Sequence, residues 1–157
     1  MTAITQADAL MQLRQHPWLE QSRATLLQPL MQANGWEGRY RELMRLGKEL
    51  PALPATLLAQ AEPIQGCESA VNWVYGLAED QRFYCWLDGD ARIIKGLLAI
   101  LLLQVNGQPL AQLQTWDGAE DFAALQLERH LSPSRGNGLR LIRQRIQAAI
   151  SELSQPS

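Results

Sequence analysis

Apolar and polar residues recur with helical spacing at both ends of this chain, and strand-forming residues gather in its middle. We expect a short helix around Leu10 and a second one from about residue 22 to residue 33, where an Asn-Gly pair favours a helix end. A third helix begins near Trp36, and prolines at its far end stop it. Its apolar positions share one helical face: Trp36, Tyr40, Leu43, Gly47 and Leu50. The first third of the chain is therefore predicted to be mainly helical.

Strand formers dominate the middle of the chain. Residues 71–75 and 82–87 are rich in β-branched and aromatic side chains, and a polar turn at 79–81 joins them. Two such runs joined by a short turn predict an antiparallel hairpin. The Asp-Gly-Asp sequence at 88–90 is expected to end the second strand, with Asp90 as the N-cap of the next helix.

The second half of the chain returns to helical patterns. A helix is expected from residue 91 to about residue 105, and its apolar run at 96–103 is much shorter than the ~20 residues of a membrane span, so it predicts a buried helix. Shorter helical turns are expected at 110–113 and 118–125. The last helix carries an apolar stripe at helical spacing. The stripe is formed by Leu139, Ile142, Ile146, Ala149, Ile150 and Leu153.

Composition narrows the class of protein. The chain has 157 residues, of which 46 % are apolar and 19 % charged, as expected of one globular domain with a substantial core. The net charge of −2 does not favour nucleic acid binding. Two cysteines are too few for a disulfide framework and fit a reducing compartment. The first residues show no secretory signal, so we expect a cytoplasmic protein that is not bound to a membrane.

Cys67 is the candidate for special chemistry because a glycine directly precedes it. Gly66 can adopt backbone angles closed to other residues, so a sharp turn could present the thiol at the tip of a loop. A thiol displayed in this way is a candidate reactive sulfur, and the alternative is a small apolar filler. The carboxylate of adjacent Glu68 would disfavour the thiolate, so an activating charge must come from elsewhere in the fold or from a partner.

Four ordered sequence blocks resemble the SufE family. They begin at residues 36, 66, 88 and 130 and read WEGRYREL with LGK and LPALP, then GCESAV, then DGDARIIKGL, then HLSPSRGNGL. The resemblance covers residues 36 to about 150. It is closest to the CsdE-like branch, because glutamate follows the cysteine. The family usually places tryptophan directly after the valine of the cysteine block, whereas this chain has Asn72 there and Trp73 one position later. The ring then faces the other way, or one residue bulges out of the strand.

The resemblance implies a sulfur acceptor for a pyridoxal-phosphate-dependent cysteine desulfurase. Cys67 would receive persulfide sulfur from the desulfurase and pass it to iron–sulfur cluster assembly, for example to a scaffold protein, or to another sulfur-using pathway. The chain itself would hold no cofactor and no metal. The implied fold is a single α+β domain, with a small antiparallel β-sheet packed against several helices. Residues 36–153 would form the SufE-like domain, and residues 1–35 would extend the same domain with helices.

Further residues have both a functional and a structural interpretation. Asp90 is either a helix cap or a holder of the cysteine loop through backbone amides. His130 either orients that loop or makes a structural hydrogen bond. Arg135, at the start of the last helix, could stabilise an anion with the free amides there, or Ser134 is a plain N-cap and Arg135 is solvated. Cys85 is expected to be an unreactive strand residue. Three further arginines of the last helix are expected on an exposed face that could dock a partner: Arg140, Arg143 and Arg145.

Three other functions remain open. An iron–sulfur scaffold usually needs several cysteine thiolates, and Cys67 and Cys85 do not make a full set. A pure interaction module would stimulate a desulfurase by binding alone. A cysteine hydrolase would need a cysteine, a histidine and an orienting acid, which could be Cys67, His130 and Asp90, although no sequence spacing supports this.

Overall fold

A computed structural model describes Ala3, residues 7–15, Trp18, residues 23–66 and residues 70–155. The α-helices are α1 (Ala7–Arg14), α2 (Arg23–Gln32), α3 (Gly35–Glu49), α4 (Ala55–Leu58), α5 (Arg92–Val105), α6 (Ala119–Ala124) and α7 (Pro133–Ser154). The strands are β1 (Glu62–Pro63), β2 (Val71–Leu77), β3 (Arg82–Gly89) and β4 (Gln108–Pro109), and 3₁₀ helices occupy Leu110–Thr115 and Glu128–His130. The predicted α+β class is confirmed. In the described part of the chain, no helix is both long and apolar enough to cross a membrane.

The sheet is antiparallel throughout, with strand order β1-β2-β3-β4. The predicted hairpin is β2–β3, and its register runs without interruption from Val71 opposite Gly89 to Leu77 opposite Phe83. Both strands continue two residues beyond the prediction, because the pairing carries on through Gly76 and Leu77 in β2 and through Asp88 and Gly89 in β3. The uninterrupted ladder shows that Asn72 does not form a bulge. Trp73 lies on the regular strand with its side chain fully buried.

The sequence analysis missed the two edge strands, β1 and β4. Each has two residues, and each contains a proline, which is tolerated at sheet edges because it cannot donate a ladder hydrogen bond. Such short segments show no alternation of apolar and polar residues. The pairing partner makes them strands: Glu62 lies opposite Trp73, and Gln108 lies opposite Phe83.

The core is built around α5, which packs on β3 and on α3. The predicted buried helix is confirmed, and its residues from Leu97 to Leu102 are all almost fully buried. Helices α3 and α5 touch at Gly47 and Gly96. A Cβ atom added at Gly47 would lie 2.7 Å from the Gly96 nitrogen, so the two backbones are too close for any larger residue. Side chains of α1 and α2 join the same core, and the division of the domain at residue 35 stays a prediction.

Two helix starts differ from the predictions. Asp90 is not the N-cap of α5, because the cap position falls on Ala91. The Ala91 carbonyl oxygen accepts a hydrogen bond of 2.9 Å from the Lys95 amide nitrogen. The reason is that β3 remains paired as far as Gly89, so the helix begins later than the sequence suggested. Helix α7 is capped by Ser132 instead of Ser134, with Pro133 as its first residue.

Candidate functional site

The segment around Cys67 is the connection between β1 and β2. Cys67, Glu68 and Ser69 lie outside the described residues, so the site is defined by the chain on either side of them. Its base is closed by a hydrogen bond of 2.9 Å from the Ile64 amide to the Val71 carbonyl oxygen. Ile64 is buried, whereas Gln65, Gly66 and Ala70 are exposed. The chain therefore leaves the core just before Cys67 and is again exposed directly after the undescribed residues.

Gly66 adopts the backbone conformation that the sequence analysis expected of it. Its φ is +89°, in the region that favours glycine. There is a second constraint, since a Cβ atom at this position would lie 2.9 Å from Cδ1 of Leu141 on α7. The glycine thus allows both the turn and the close approach of the loop to α7.

A cavity of about 450 Å³ lies beside this loop, between the β1 segment and α7. Its lining is formed by Glu62, Pro63, Ile64, Gln65, Leu141, Gln144 and Arg145. The described approach to Cys67 therefore forms one wall of the cavity, and the middle of α7 forms the other.

A cluster of polar and aromatic side chains holds the base of the loop. Oε1 of Glu62 accepts hydrogen bonds from Arg145 Nη2 at 2.6 Å, from Arg145 Nε at 3.1 Å and from Trp73 Nε1 at 2.9 Å. The Arg145 guanidinium also lies over the rings of Trp73 and Tyr75, at 5.2 and 5.4 Å from their centroids. These two rings stack on each other at 4.6 Å. One carboxylate oxygen and one guanidinium thus join β1, β2 and α7.

The charged groups of this cluster are largely buried, and this affects their pKa values. The side chains of Arg145 and Glu62 are only 17 % and 24 % exposed. Burial lowers the pKa of Arg145, but the hydrogen bonds and negative charge supplied by Tyr75 and Glu62 outweigh it and raise the pKa overall, so the guanidinium stays charged. Burial raises the pKa of Tyr75, which keeps its hydroxyl protonated. The expectation that Arg145 lies on an exposed face is wrong.

Arg140 and Arg143 are the other two arginines of the predicted exposed face, and their environments differ. Arg140 is exposed and donates to Asn137 on its own helix. Arg143 is half-buried, and its Nε donates to the Asp117 carbonyl oxygen at 2.7 Å. Of the three arginines predicted on one exposed face, the structure thus exposes Arg140, whereas Arg143 and Arg145 are both partly buried.

Asp90 lies near the far end of the cysteine loop. Val71 pairs with Gly89, so Ala70 and Asp90 follow at the same end of the hairpin. A Cβ atom at Gly89 would lie 3.5 Å from the Ala70 carbonyl oxygen, which places the two segments in contact there. Asp90 is exposed. A role in holding the loop stays a prediction, since its partners there would be residues outside the described part.

His130 and Arg135 make their contacts with residues that do not belong to the cysteine loop. The His130 ring stacks on Trp36 of α3, with centroids 4.3 Å apart and an angle of 15° between the planes. A cysteine hydrolase would require a hydrogen bond between His130 and Asp90, and none is formed between these two described residues. Arg135 is exposed in the first turn of α7, and its amide donates to Ser132 Oγ at 3.3 Å. Leu141 lies six residues further along, a rise of about 9 Å.

Cys85 is buried in the centre of the sheet. Its side chain is fully inaccessible, its amide donates to Asn106 Oδ1 at 3.0 Å, and Asn106 Nδ2 lies 3.8 Å from its sulfur. Burial raises the pKa of the Cys85 thiol far above its ordinary value, and the hydrogen bond from Asn106 offsets this only in part. The prediction of a strand residue with an unreactive thiol agrees with this environment.

We expect Cys85 to react with a thiol reagent only when the protein unfolds. The thiolate is the reactive species, and both burial and the raised pKa suppress it in the native state. The measurement is labelling of a Cys67→Ser variant with an alkylating reagent, with and without denaturant, followed by mass analysis. Fast labelling of the native variant would contradict this expectation.

Comparison with known proteins assigns the family. The model of the SufE family, described as an Fe-S metabolism associated domain, matches residues 24–150. This is most of the chain, and it includes the cysteine loop, the sheet, α5 and most of α7. The chain belongs to the SufE family.

Relatives within the family include a protein of described role. The sulfur acceptor protein CsdE of Escherichia coli is 43 % identical over 118 residues, which cover 75 % of this chain and 80 % of that protein. An uncharacterized SufE-like protein of Haemophilus influenzae is 38 % identical over 122 residues, covering 78 % of this chain and 97 % of that protein. A SufE-like protein of Rhizobium meliloti is 37 % identical over 117 residues, 72 % of this chain and 83 % of its own length.

Sequence reasoning missed the cluster around Glu62. In the sequence, Arg145 is one basic residue among several in the last helix, and Glu62 belongs to no recognisable pattern. The two residues are 83 positions apart and in different element types, so no local pattern links them. Trp73, placed one position away from the family pattern, was the one visible signal in this region, because its ring forms part of the cluster.

Proposed function

We propose that this protein accepts sulfur from a cysteine desulfurase and holds it on Cys67 as a persulfide. One observation carries the proposal: the chain is similar over most of its length to a sulfur acceptor protein. Cys85 is fully buried, whereas the exposed residues Gly66 and Ala70 flank the segment that contains Cys67. Cys67 is therefore the cysteine that we assign to sulfur exchange.

The proposed reaction is an exchange between two thiols. The Cys67 thiolate attacks the terminal sulfur of the desulfurase persulfide, a new S–S bond forms on Cys67, and the S–S bond on the desulfurase breaks. The desulfurase cysteine leaves as a thiolate with the bonding electron pair, and the proton of the Cys67 thiol goes to a base or to solvent. No external oxidant or reductant is needed, since one persulfide replaces another.

Activation of the thiol is assigned to the encounter with the partner. A free cysteine has a pKa of about 8.5, so only a few per cent is thiolate at neutral pH. Glu68 adds a neighbouring negative charge that disfavours ionisation further. We propose that the carrier is weakly reactive alone and becomes competent when docked, with the loop turned outwards.

The wider setting is also part of this proposal. The desulfurase would carry the pyridoxal phosphate, and this chain would need no cofactor of its own. The sulfur on Cys67 would pass to iron–sulfur cluster assembly, for example to a scaffold protein, or to another sulfur-using pathway. The cytoplasm, where thiols stay reduced, is the proposed location.

Sulfur loading can be mapped directly. The protein is incubated with a cysteine desulfurase and sulfur-labelled cysteine, its intact mass is measured without reductant, and its peptides are mapped. We expect one added sulfur on the peptide that contains Cys67 and none on the peptide that contains Cys85. Absence of added sulfur, or sulfur on Cys85 alone, would overturn the proposal.

The same preparation separates this proposal from an iron–sulfur scaffold. A scaffold would bind iron and absorb visible light after reconstitution with iron and sulfide. A sulfur acceptor is expected to stay colourless and to contain no stoichiometric iron. Among the described residues, no group of three or more His, Cys, Asp or Glu side chains is arranged to hold a metal ion.

A further inference from the structure

We propose that Arg145 and Glu62 are positioning residues for sulfur transfer: their ion pair fixes the base of the cysteine loop against α7, so that Cys67 is delivered to the donor persulfide in a defined place. This inference rests on the proposed function. It concerns two residues that lie outside the four sequence blocks.

The first argument is the position of Glu62 along the chain. It lies on β1, two residues before Ile64, whose amide closes the base of the loop. Any movement of β1 relative to the sheet is therefore passed on to the segment that leads to Cys67. The backbone pairing that holds β1 is short: Glu62 and Pro63 pair with β2, the Ile64 amide adds one hydrogen bond to Val71, and proline donates none. Side chains must supply much of the remaining restraint.

The second argument is the geometry of that restraint. Two nitrogens of Arg145 and the indole nitrogen of Trp73 converge on one carboxylate oxygen of Glu62. The planar guanidinium also packs on the stacked rings of Trp73 and Tyr75. A lysine could supply the charge at this place but not the planar fork. β1 is thereby tied both to its neighbouring strand and to α7.

The third argument is that the pair sits beside the loop. Arg145 and Glu62 line the same cavity as Gln65, and Leu141, one turn before Arg145, meets the Gly66 position. An exposed pair on α3, Arg45 with Glu49, offers a contrast: it is 43 % and 48 % exposed and joins neighbouring turns of one helix. Such a surface pair restrains nothing beyond its own helix.

The test measures transfer from a desulfurase preloaded with labelled persulfide, at increasing acceptor concentrations. Displacement by about 1 Å can slow a reaction by up to ~100-fold, so we expect Arg145→Lys and Glu62→Gln each to lower the maximal transfer rate by about tenfold. The acceptor concentration at half-maximal rate should stay unchanged, because the variants leave the sequence of the cysteine loop intact. The double variant should be no slower than the slower single one, since both remove the same restraint.

The controls separate positioning from loss of fold. Glu49→Gln, in the exposed pair of α3, should transfer at the parental rate. All variants are measured well below their unfolding temperatures, where a purely structural pair would lower the melting temperature and leave the maximal rate unchanged. Parental rates in both variants, or a change only in the half-maximal concentration, would overturn the positioning role. Failure of the parent protein to load sulfur on Cys67 would instead overturn the proposed function.

Discussion

Replacing Cys67 with serine is expected to reduce sulfur uptake to background. A serine hydroxyl is nearly the size of a thiol, but its oxygen is far less acidic and does not form a persulfide. The other cysteine of the chain, Cys85, cannot take its place, because it is fully inaccessible and its pKa is strongly raised by burial. The measurement is the amount of labelled sulfur bound to Cys67→Ser after incubation with a desulfurase and labelled cysteine.

The matched control is Cys85→Ala, which removes the second thiol and should load sulfur as the parent does. The affinity of Cys67→Ser for the desulfurase is measured in parallel. We expect this affinity to persist, because the substitution only exchanges one sulfur atom for oxygen. The variant also tests the binding-only alternative. If Cys67→Ser still stimulates the desulfurase fully, stimulation arises from binding, and sulfur acceptance is not its cause. Sulfur uptake by Cys67→Ser at the parental level would contradict the assignment.

The helices and the central hairpin could be predicted because their information is local. The apolar face of α3 and the stripe of α7 each repeat over several turns, and β2 and β3 are rich in strand formers joined by a short polar turn. The bounds of β3 could not be predicted in the same way. Asp88 and Gly89 look like strand breakers in sequence, yet both pair with β2. Pairing with a neighbouring strand overrides local propensity there.

The candidate site was predictable only in part. Cys67 and the turn at Gly66 follow from adjacent residues, and the positive φ of Gly66 agrees with that reasoning. The side chains that hold the loop come from β1, β2 and α7, and long-range packing alone brings them together. His130 shows the opposite case: its block lies close to α7 in sequence, but its ring packs on Trp36 of α3. A residue in a recognisable block can therefore serve the fold of a distant element.

Replacing Gly96 with alanine is expected to destabilise the protein strongly, although alanine is the better helix former. A Cβ atom at this position would fall well inside van der Waals contact of the Leu43 carbonyl oxygen and 2.9 Å from Leu43 Cδ1. The backbone oxygen cannot turn away without moving α3. Helix propensity favours alanine by about 1 kcal/mol, whereas overpacking costs roughly 1–3 kcal/mol and more where backbone must move. We therefore expect a net loss of about 2 kcal/mol in the free energy of unfolding.

The matched control is Gly136→Ala on α7, where no atom lies within 4 Å of the added Cβ. The same substitution should stabilise the protein there by roughly 0.5–1 kcal/mol, because only helix propensity changes. The measurement is thermal or denaturant unfolding of both variants, and a loss of about 2 kcal/mol corresponds to a melting temperature lower by roughly 4–8 °C. Opposite signs at the two glycines would show that the close approach of α3 and α5 determines the residue at Gly96. Equal and small effects would mean that the two helices can separate at little cost, and the tight contact would then not hold the core.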